Sequence, residues 1–239
     1  MGTLAPELPA SSGEGFASDL AGMGNFLIDP AGAARRVHSK WFWIGPLIVI
    51  SIISVVVSVL MMPITQHVLE IAPLQPGMTP AQHDRIVSIG MTVMRITTYL
   101  SPIVVAIFFA IGSLILFGSS AVFGVKARFW QLFNLIAGCG LIDAIMRIAQ
   151  LVVLKAKGEI TTQAELRPAL GLDIFLPAGS NKFLTAFLGY FSVFEIWWIV
   201  MLVLIFAAAF KVGKGKAFAV AIPLILVRLC FAMLSGFSR

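Results

Sequence analysis

Long apolar segments separated by short polar ones make up most of this chain. Five of these segments are long enough to be membrane-spanning helices, at about 1.5 Å of rise per residue and about 30 Å of hydrocarbon. Their predicted bounds are residues 43–62, 99–122, 130–154, 184–210 and 217–234. The chain shows no barrel-type alternation, so helices are the structures that can satisfy the backbone in lipid. The pattern therefore predicts an all-α integral membrane protein, a five-helix transmembrane bundle.

The segment before the first span predicts a tail and a short helix. Residues 1–24 are rich in small, polar and Pro residues and are predicted to be a flexible cytoplasmic tail. Asp29 is a suitable N-cap and Pro30 suits a first helical turn, so an amphipathic juxtamembrane helix is expected next. Its apolar and basic sides fit a helix at the cytoplasmic membrane surface, the alternative being an ordinary flank with orientation charges. Residues 25–239 are predicted to form one membrane domain.

Two longer connections carry weaker signals. Thr79 followed by Pro80 predicts the start of a helix that runs through Arg85 towards the second span. Residues 171–183, with the sequence GLDIFLPAGSNKF, are apolar enough to lie on the membrane face or dip into it.

Composition narrows the class of protein further. The chain of 239 residues is 59% hydrophobic and 12% charged, whereas soluble domains have about 25% charged residues. A soluble globular enzyme is therefore excluded. The formal net charge of +6 would suggest a nucleic-acid partner in a soluble protein. Here the basic residues are spread over loops without stacking aromatic residues, so no nucleic-acid partner is expected.

Basic residues in short loops predict the orientation. Three clusters fall on one side of the five spans: Arg35, Arg36 and Lys40; Lys126 and Arg128; Lys211, Lys214 and Lys216. Since basic residues accumulate in cytoplasmic loops, the amino terminus is predicted to be cytoplasmic and the carboxyl terminus external. The expected location is the cytoplasmic (inner) membrane. Near its surface, these clusters would meet anionic lipid headgroups at about 1 kcal/mol per residue.

Four charged residues lie within the predicted spans: Asp143, Arg147, Glu195 and Arg228. A charge at mid-bilayer costs at least about 2.5–3.5 kcal/mol, so each needs a reason. Counting from the cytoplasmic helix ends places all four at a similar depth, with Asp143 predicted near Arg228 and Arg147 near Glu195. This intramembrane charge cluster has two interpretations. It is either a proton, anion or headgroup site, or a set of interhelical ion pairs that fixes the bundle.

Other chemistry is not indicated. The sequence has no Ser/His/Asp or Cys/His arrangement, no paired catalytic carboxylates and no zinc signature, and the spacings of His67 with Glu70 and of His83 with Asp84 are common by chance. No catalytic residue, metal or cofactor is predicted, and Cys139 and Cys230 are interpreted as packing residues. The small residues at 137–140 and at 112–113 predict close helix contacts.

Two stretches resemble the Yip1 family of five-span membrane proteins. One is Asn25–Arg36, in which Asp29-Pro30 precedes basic residues, followed by Trp41 and Gly45-Pro46. The other is Phe191–Trp197, where Glu195 follows Phe194 at a point at which the family has an acidic and aromatic signature. The resemblance covers roughly residues 25–235 and implies a compact member of the bacterial type. It carries over neither a functional residue nor the Rab GTPase partners of the eukaryotic relatives.

The expected function is a non-enzymatic scaffold or accessory subunit that binds lipids or membrane-protein partners, a second copy of the chain included. The alternative is a small transporter or permease component whose path uses the four intramembrane charges. A water-lined cavity that reaches the four charges would favour transport. A dry, closed bundle with an exposed apolar face would favour partner binding.

Overall fold

The structure, a computed structural model, describes residues 22–74, 76–166, 168–177 and 180–237. Apart from one isolated bridge, helices are the only regular elements in these ranges. The α-helices are α1 (Asn25–Ile28), α2 (Pro30–Val37), α3 (Ile44–Ile71), α4 (Pro80–Val122), α5 (Phe129–Lys157), α6 (Lys182–Tyr190), α7 (Val193–Phe210) and α8 (Lys214–Phe237). Two 3-10 turns, Gln163–Leu166 and Leu172–Phe175, lie between α5 and α6.

Five of these helices, α3, α4, α5, α7 and α8, are long and apolar enough to cross a membrane. The predicted all-α, five-span fold is therefore confirmed. We call the end of the bundle that holds the α4–α5 and α7–α8 connections the basic end. The predicted cytoplasmic location of this end stays a prediction. Most of the predicted tail, residues 1–21, lies outside the described residues.

The amphipathic segment before the first span packs against protein. Phe26 in α1 and Val37 in α2 are fully buried, and both helices contact α5 and α7. The Asp29 side chain caps α2 by accepting a hydrogen bond from the amide of Ala31, as the sequence predicts. The expectation that this helix uses its apolar side on the membrane surface is corrected, because that side is covered by the bundle. An amphipathic stripe in the sequence does not show whether protein or lipid covers it, because both surfaces are apolar.

Polar side chains attach α2 to the basic end. Asn134 of α5 is 1% exposed, accepts from the Trp43 amide at 3.0 Å and donates to the carbonyls of Val37 and Ser39. These bonds satisfy backbone groups at the end of α2 and the start of α3, which have no partner within either helix. The ring of His38 bridges the two flanking helices, through the Ala209 carbonyl of α7 and Gln131 of α5.

The α3–α4 hairpin is longer than a bilayer requires. The first predicted span ended at residue 62, before Pro63, but α3 continues through Pro63 to Ile71. Helix α4 begins at Pro80, as predicted, where the Thr79 side chain and Gln82 form a capping box. Its 43 residues correspond to about 64 Å, about twice the hydrocarbon thickness. The half of α4 far from the basic end therefore extends well past the hydrocarbon.

The fourth predicted span, residues 184–210, is wrong as a single helix. The chain breaks at Phe191–Ser192 into α6 and α7, and Ser192 caps α7 by accepting from the Glu195 amide. Helix α6 packs against α8 and against the 3-10 turn Leu172–Phe175. The hydrophobic run is uninterrupted across the break, so hydropathy gives no sign of it. The spacing of Ser192 and Glu195 is the capping-box pattern and is the sequence signal for this break.

The basic half of the bundle is densely packed. Phe26 and Phe42 stack with ring centroids 4.9 Å apart, and the backbone at Gly138 lies directly against the Phe26 ring. A Cβ at Gly138 would be 2.2 Å from that ring, and one at Gly140 would be 2.9 Å from Phe109. These contacts account for the small residues at 137–140 and close the core at this level.

Candidate functional site

Three helices bring acidic and basic side chains to one layer. Asp143 lies about 21 Å from the start of α5, and Arg228 lies about 21 Å from the start of α8, at about 1.5 Å per residue. Glu195 lies about 22 Å from the end of α7, which is at the same end of the bundle. The layer is therefore in the half of the membrane domain away from the basic end.

Arg228 holds both carboxylates of this layer. Its Nη2 atom lies 2.9 Å from Oδ1 of Asp143 and 2.8 Å from Oε2 of Glu195. Its Nε atom donates to Oε1 of Glu195 at 2.9 Å, and Nη1 donates to Oδ2 of Asp143 at 3.3 Å. Both contacts are bidentate, the strongest geometry for an arginine and a carboxylate. One side chain of α8 therefore joins α5 to α7.

Aromatic side chains complete the surroundings of the guanidinium. The carbon at its centre lies 4.0 Å from the ring centroid of Trp198, which is 2% exposed. This is a cation–π contact with a buried ring. Tyr190, at the end of α6, donates its hydroxyl to the Ile225 carbonyl of α8 at 3.3 Å. The end of α6 is thus tied to the layer, next to the first turns of α7 and the middle of α8.

One predicted pairing forms and the other does not. Asp143 contacts Arg228, as the depth estimate predicts. The prediction that Arg147 pairs with Glu195 is wrong, because Glu195 is held by Arg228. Arg147 has no ion pair or hydrogen bond to any residue that the structure describes, and it is exposed. Depth fixes how far along a helix a charge lies, but not which neighbouring helix it faces.

A cavity of about 630 Å³ opens beside this layer. All four predicted intramembrane charges line it, and so do the polar side chains of Gln150, Thr185 and Tyr190. Most of its other walls are apolar and come from α3, α4, α5 and α8: Ile50, Val105, Phe108, Phe109, Ile136, Leu224, Val227 and Phe231. Phe108 and Phe231, 6.4 Å apart between α4 and α8, are both more than half exposed. The cavity has a charged end and an apolar side.

The connection between α5 and α6 forms part of the cavity wall. Pro168, Leu170 and Asp173 line the cavity, and Gly171 forms an isolated antiparallel bridge with Ser192. At Gly171 a Cβ would lie 2.6 Å from the Gly189 carbonyl oxygen, so only glycine allows this approach. The contact of residues 171–183 with the membrane face stays a prediction, since Asp173 of this segment lines the cavity while Ile174 and Phe175 are exposed.

A carboxylate also organises the start of this connection. Glu165 accepts from Lys157 Nζ at 2.8 Å and from the backbone amides of Thr161 and Thr162. These interactions lower the pKa of Glu165 to about 2, and the hydrogen bond from Lys157 has the largest effect. The carboxylate therefore keeps its charge well below the usual glutamate range.

The predicted basic clusters lie in the basic half of the bundle. Arg128 is the N-cap residue of α5, Lys211 follows α7 in the left-handed conformation, and Lys214 and Lys216 occupy the first turn of α8. Lys126 lies in the α4–α5 connection, Arg35 and Arg36 lie in the last turn of α2, and Lys40 lies 5.3 Å from the ring centroid of Trp41. The clusters thus surround one end of the domain, opposite to the cavity.

Sequence reasoning missed three residues of the cavity: Asp173, Tyr190 and Trp198. Asp173 and Tyr190 are brought to the site by the bridged loop and by the α6–α7 break, neither of which the hydropathy shows. Trp198 lies three residues after Glu195, so it shares a helix face with that carboxylate, and this spacing could have indicated it. The described residues contain no group of three or more His, Cys, Asp or Glu side chains arranged to hold a metal.

Fold and site together define a multi-pass helical membrane protein with a cavity that is charged at one end and apolar along one side. The family model of the Yip1 domain matches residues 24–236, nearly the full length. The chain therefore belongs to the Yip1 family, and this family is not known as enzymatic. Searches of curated proteins and of solved structures found no match to the chain.

Proposed function

We propose that this chain is a non-enzymatic accessory subunit of the cytoplasmic membrane that binds a phospholipid in the cavity. The observation that carries the proposal is the cavity itself, which combines five charged side chains, the four intramembrane charges and Asp173, with an apolar side facing α4 and α8. Such a site matches a molecule with a charged headgroup and an acyl chain. The volume of about 630 Å³ lies within the range of ligand sites, roughly 300–1,000 Å³.

Arg147 is the residue proposed to bind the lipid phosphate. It lies about 27 Å from the start of α5, close to the depth at which a hydrocarbon layer of about 30 Å ends. Arg228 is occupied by two carboxylates, whereas Arg147 makes no contact of this kind with the described residues. A planar guanidinium donates two parallel hydrogen bonds to phosphate, which favours arginine at such a position.

The apolar side of the cavity is proposed to hold part of an acyl chain. Phe108 and Phe231 line the cavity and are exposed between α4 and α8, where a lipid tail can pass from the bilayer. Whole phospholipids are larger than this cavity. We therefore expect the headgroup and the upper part of one chain to be inside, with the remainder in the bilayer.

Lipid retention tests the proposal. The protein is purified from membranes in mild detergent, and the bound phospholipid is counted by native mass spectrometry. Arg147→Gln is expected to lose most of the retained lipid, while Arg147→Lys keeps part of it because the charge remains. Arg95→Gln is the matched control, since Arg95 is an exposed arginine of α4 outside the cavity. Equal lipid retention by Arg147→Gln and Arg95→Gln would contradict the proposal.

Transport is the second candidate, because the cavity reaches all four intramembrane charges. A path through the whole domain is closed in this structure, because the basic half of the bundle is filled by fully buried side chains. Among them are Phe26, Leu135, Ile142 and Leu202. A transporter would therefore have to open this half during its cycle. Ion or proton flux into vesicles that depends on the protein, and is lost when all four charges are neutralised, would favour transport over lipid binding.

The basic end is proposed to face the cytoplasm and its anionic lipids. The proposal is supported by three basic clusters around one end of the domain, in keeping with the distribution of basic residues in membrane proteins. A tag at the amino terminus that a protease reaches only from the cytoplasmic side would agree with it. A carboxyl-terminal tag that is reached from that same side would contradict it.

A further inference from the structure

Helix α4 has an apolar surface where no lipid chains can cover it. About 30 Å of its length, counted from Val122 at the basic end, suffices to cross the hydrocarbon, which leaves roughly residues 80–101 beyond it. In that extension, Ile86, Ile89, Val93 and Ile96 are between 52% and 54% exposed. Large apolar side chains in a row are uncommon on a water-facing surface and mark contact sites.

These side chains follow a heptad repeat. Starting with Ile86 at position a, the a and d positions alternate at spacings of three and four through the whole helix. The ten consecutive positions are Ile86, Ile89, Val93, Ile96, Leu100, Ile103, Ile107, Ala110, Leu114 and Phe117. All ten are apolar, and a repeat sustained over more than four heptads is typical of a coiled coil. We call these ten positions the α4 seam.

In the extension, the seam is separate from the face that α4 uses inside the molecule, whereas Ala110 of the membrane part packs against the core. In the extension, a Cβ at Gly90 would be 3.8 Å from Leu69 of α3. The partly or fully buried residues there are His83, Val87, Gly90, Met91, Met94, Thr98 and Ser101. The exposed c and g positions there are polar at Arg85, Ser88, Thr92 and Arg95, and Tyr99, at g, is 72% exposed. The extension therefore has two apolar stripes, and only one of them is covered by the rest of the fold.

We propose that the α4 seam binds the α4 seam of a second copy of this chain. All copies insert into the membrane in one orientation, so two neighbouring α4 helices run parallel and present the same repeat at the same height. This is the geometry that a parallel coiled coil requires. The repeat also continues without a phase change from the membrane into the extension, across Pro102, which lies between the two parts.

The residues beside the seam allow this contact. In a parallel pair, position g of one helix lies near position e of the next heptad of its partner. Arg85, at g, then faces Gly90, and Thr92 faces Thr97, so like charges do not meet. The assembly is therefore expected to be a parallel homo-oligomer, built around the axis where the seams meet.

Cysteine cross-linking in intact membranes tests the proposal. In a Cys230→Ser background, which removes the exposed native thiol, single variants carry a cysteine at the seam or beside it. Ile89→Cys and Val93→Cys are expected to form disulfide-linked dimers severalfold more than the matched controls Ser88→Cys and Arg95→Cys. Equal cross-linking at seam and control positions, or none at any, would overturn the proposal.

A second pair of variants keeps the test independent of general misfolding. Adding Ile89→Glu to the Val93→Cys chain places like charges inside the seam and should abolish its cross-link. Adding Ser88→Glu places the same charge one residue away and should leave the cross-link in place. A cross-linked product whose mass is not that of two copies would assign the seam to a different protein and also overturn the proposal.

Discussion

Arg228 is predicted to stabilise the fold more than either carboxylate that it holds. Replacing Arg228 with Gln leaves Asp143 and Glu195 next to each other without a cation in contact, since both are bound to this one guanidinium. Removing one partner of a buried ion pair costs about 3–5 kcal/mol. The low end of this range is expected, because the side chains of Arg228 and Asp143 keep 27% and 29% of their surface accessible in the cavity.

The variant Asp143→Asn is predicted to cost less. It leaves Arg228 paired with Glu195, so the layer keeps one neutral ion pair, and the loss is that of a charged hydrogen bond, about 1.5–3 kcal/mol. Replacing all three residues together, by Arg228→Gln, Asp143→Asn and Glu195→Gln, removes every charge and should recover part of the stability lost in Arg228→Gln. The double variant Asp143→Arg, Arg228→Asp should not reach the stability of the unchanged protein, because a carboxylate at position 228 would face the carboxylate of Glu195.

The assay uses a native thiol. Cys139 is buried and free, so in a Cys230→Ser background it reacts with a fluorescent thiol reagent only after unfolding. The midpoint of thermal unfolding should fall most for Arg228→Gln, by about 2–4 °C for each kcal/mol lost. Equal stability of Arg228→Gln and Asp143→Asn would contradict this reasoning, and so would a triple variant that is the least stable of all. In either case the ion pairs of Arg228 would not be what joins α5, α7 and α8.

Three further predictions concern the rest of the fold. Gly138→Ala should lower the free energy of unfolding by about 1–3 kcal/mol, because its Cβ would overlap an aromatic ring, while Gly118→Ala, which meets nothing within 4 Å, should be neutral or stabilising. Asn134→Ala should release α2 from the bundle, which hydrogen exchange of the α2 amides would detect as faster exchange. The Glu165 carboxylate should protonate only near pH 2, because its pKa is lowered in the fold. The stability it contributes is thus fully present above the ordinary glutamate pKa of about 4.3 and is lost as pH falls towards 2, which a carboxyl NMR titration would measure.

Much of the fold follows from hydropathy, because lipid imposes a length and an apolar composition on each span. The five spans were predictable for this reason, and the start of α4 was predictable from Thr79 and Pro80. The α6–α7 break was not, since residues on both sides of Ser192 are equally apolar. There the backbone groups are satisfied by a serine cap and by a bridge to Gly171, a residue 21 positions earlier in the chain.

The charged layer was predictable in depth but not in partners. Rise per residue places Asp143, Glu195 and Arg228 at one level whatever their rotation about the helix axes. Contact depends on that rotation, which in turn depends on how α5, α7 and α8 pack. The packing gives both carboxylates to Arg228 and turns Arg147 towards the cavity. The residue proposed to bind the ligand is therefore the one that the predicted pairing would have neutralised.

The amino-terminal helices illustrate a different limit. A stripe of apolar residues that contains Phe26 and Val37 predicts burial, but it does not say whether lipid or protein covers it. The structure covers it with α5 and α7, where Gly138 leaves room for the ring of Phe26. The complementary small residue lies over a hundred positions away, so a local pattern could not reveal the match.

Photochemical labelling with a phospholipid that carries a reactive group near its phosphate tests the central claim most directly. Membranes that contain the labelled lipid are irradiated, and the modified peptides of the protein are sequenced. A lipid headgroup in the cavity should label α5 around residues 143–150 and the end of α6, and Arg147→Gln should remove that label. Labelling confined to the outer surface of α4, and unchanged in Arg147→Gln, would contradict the account.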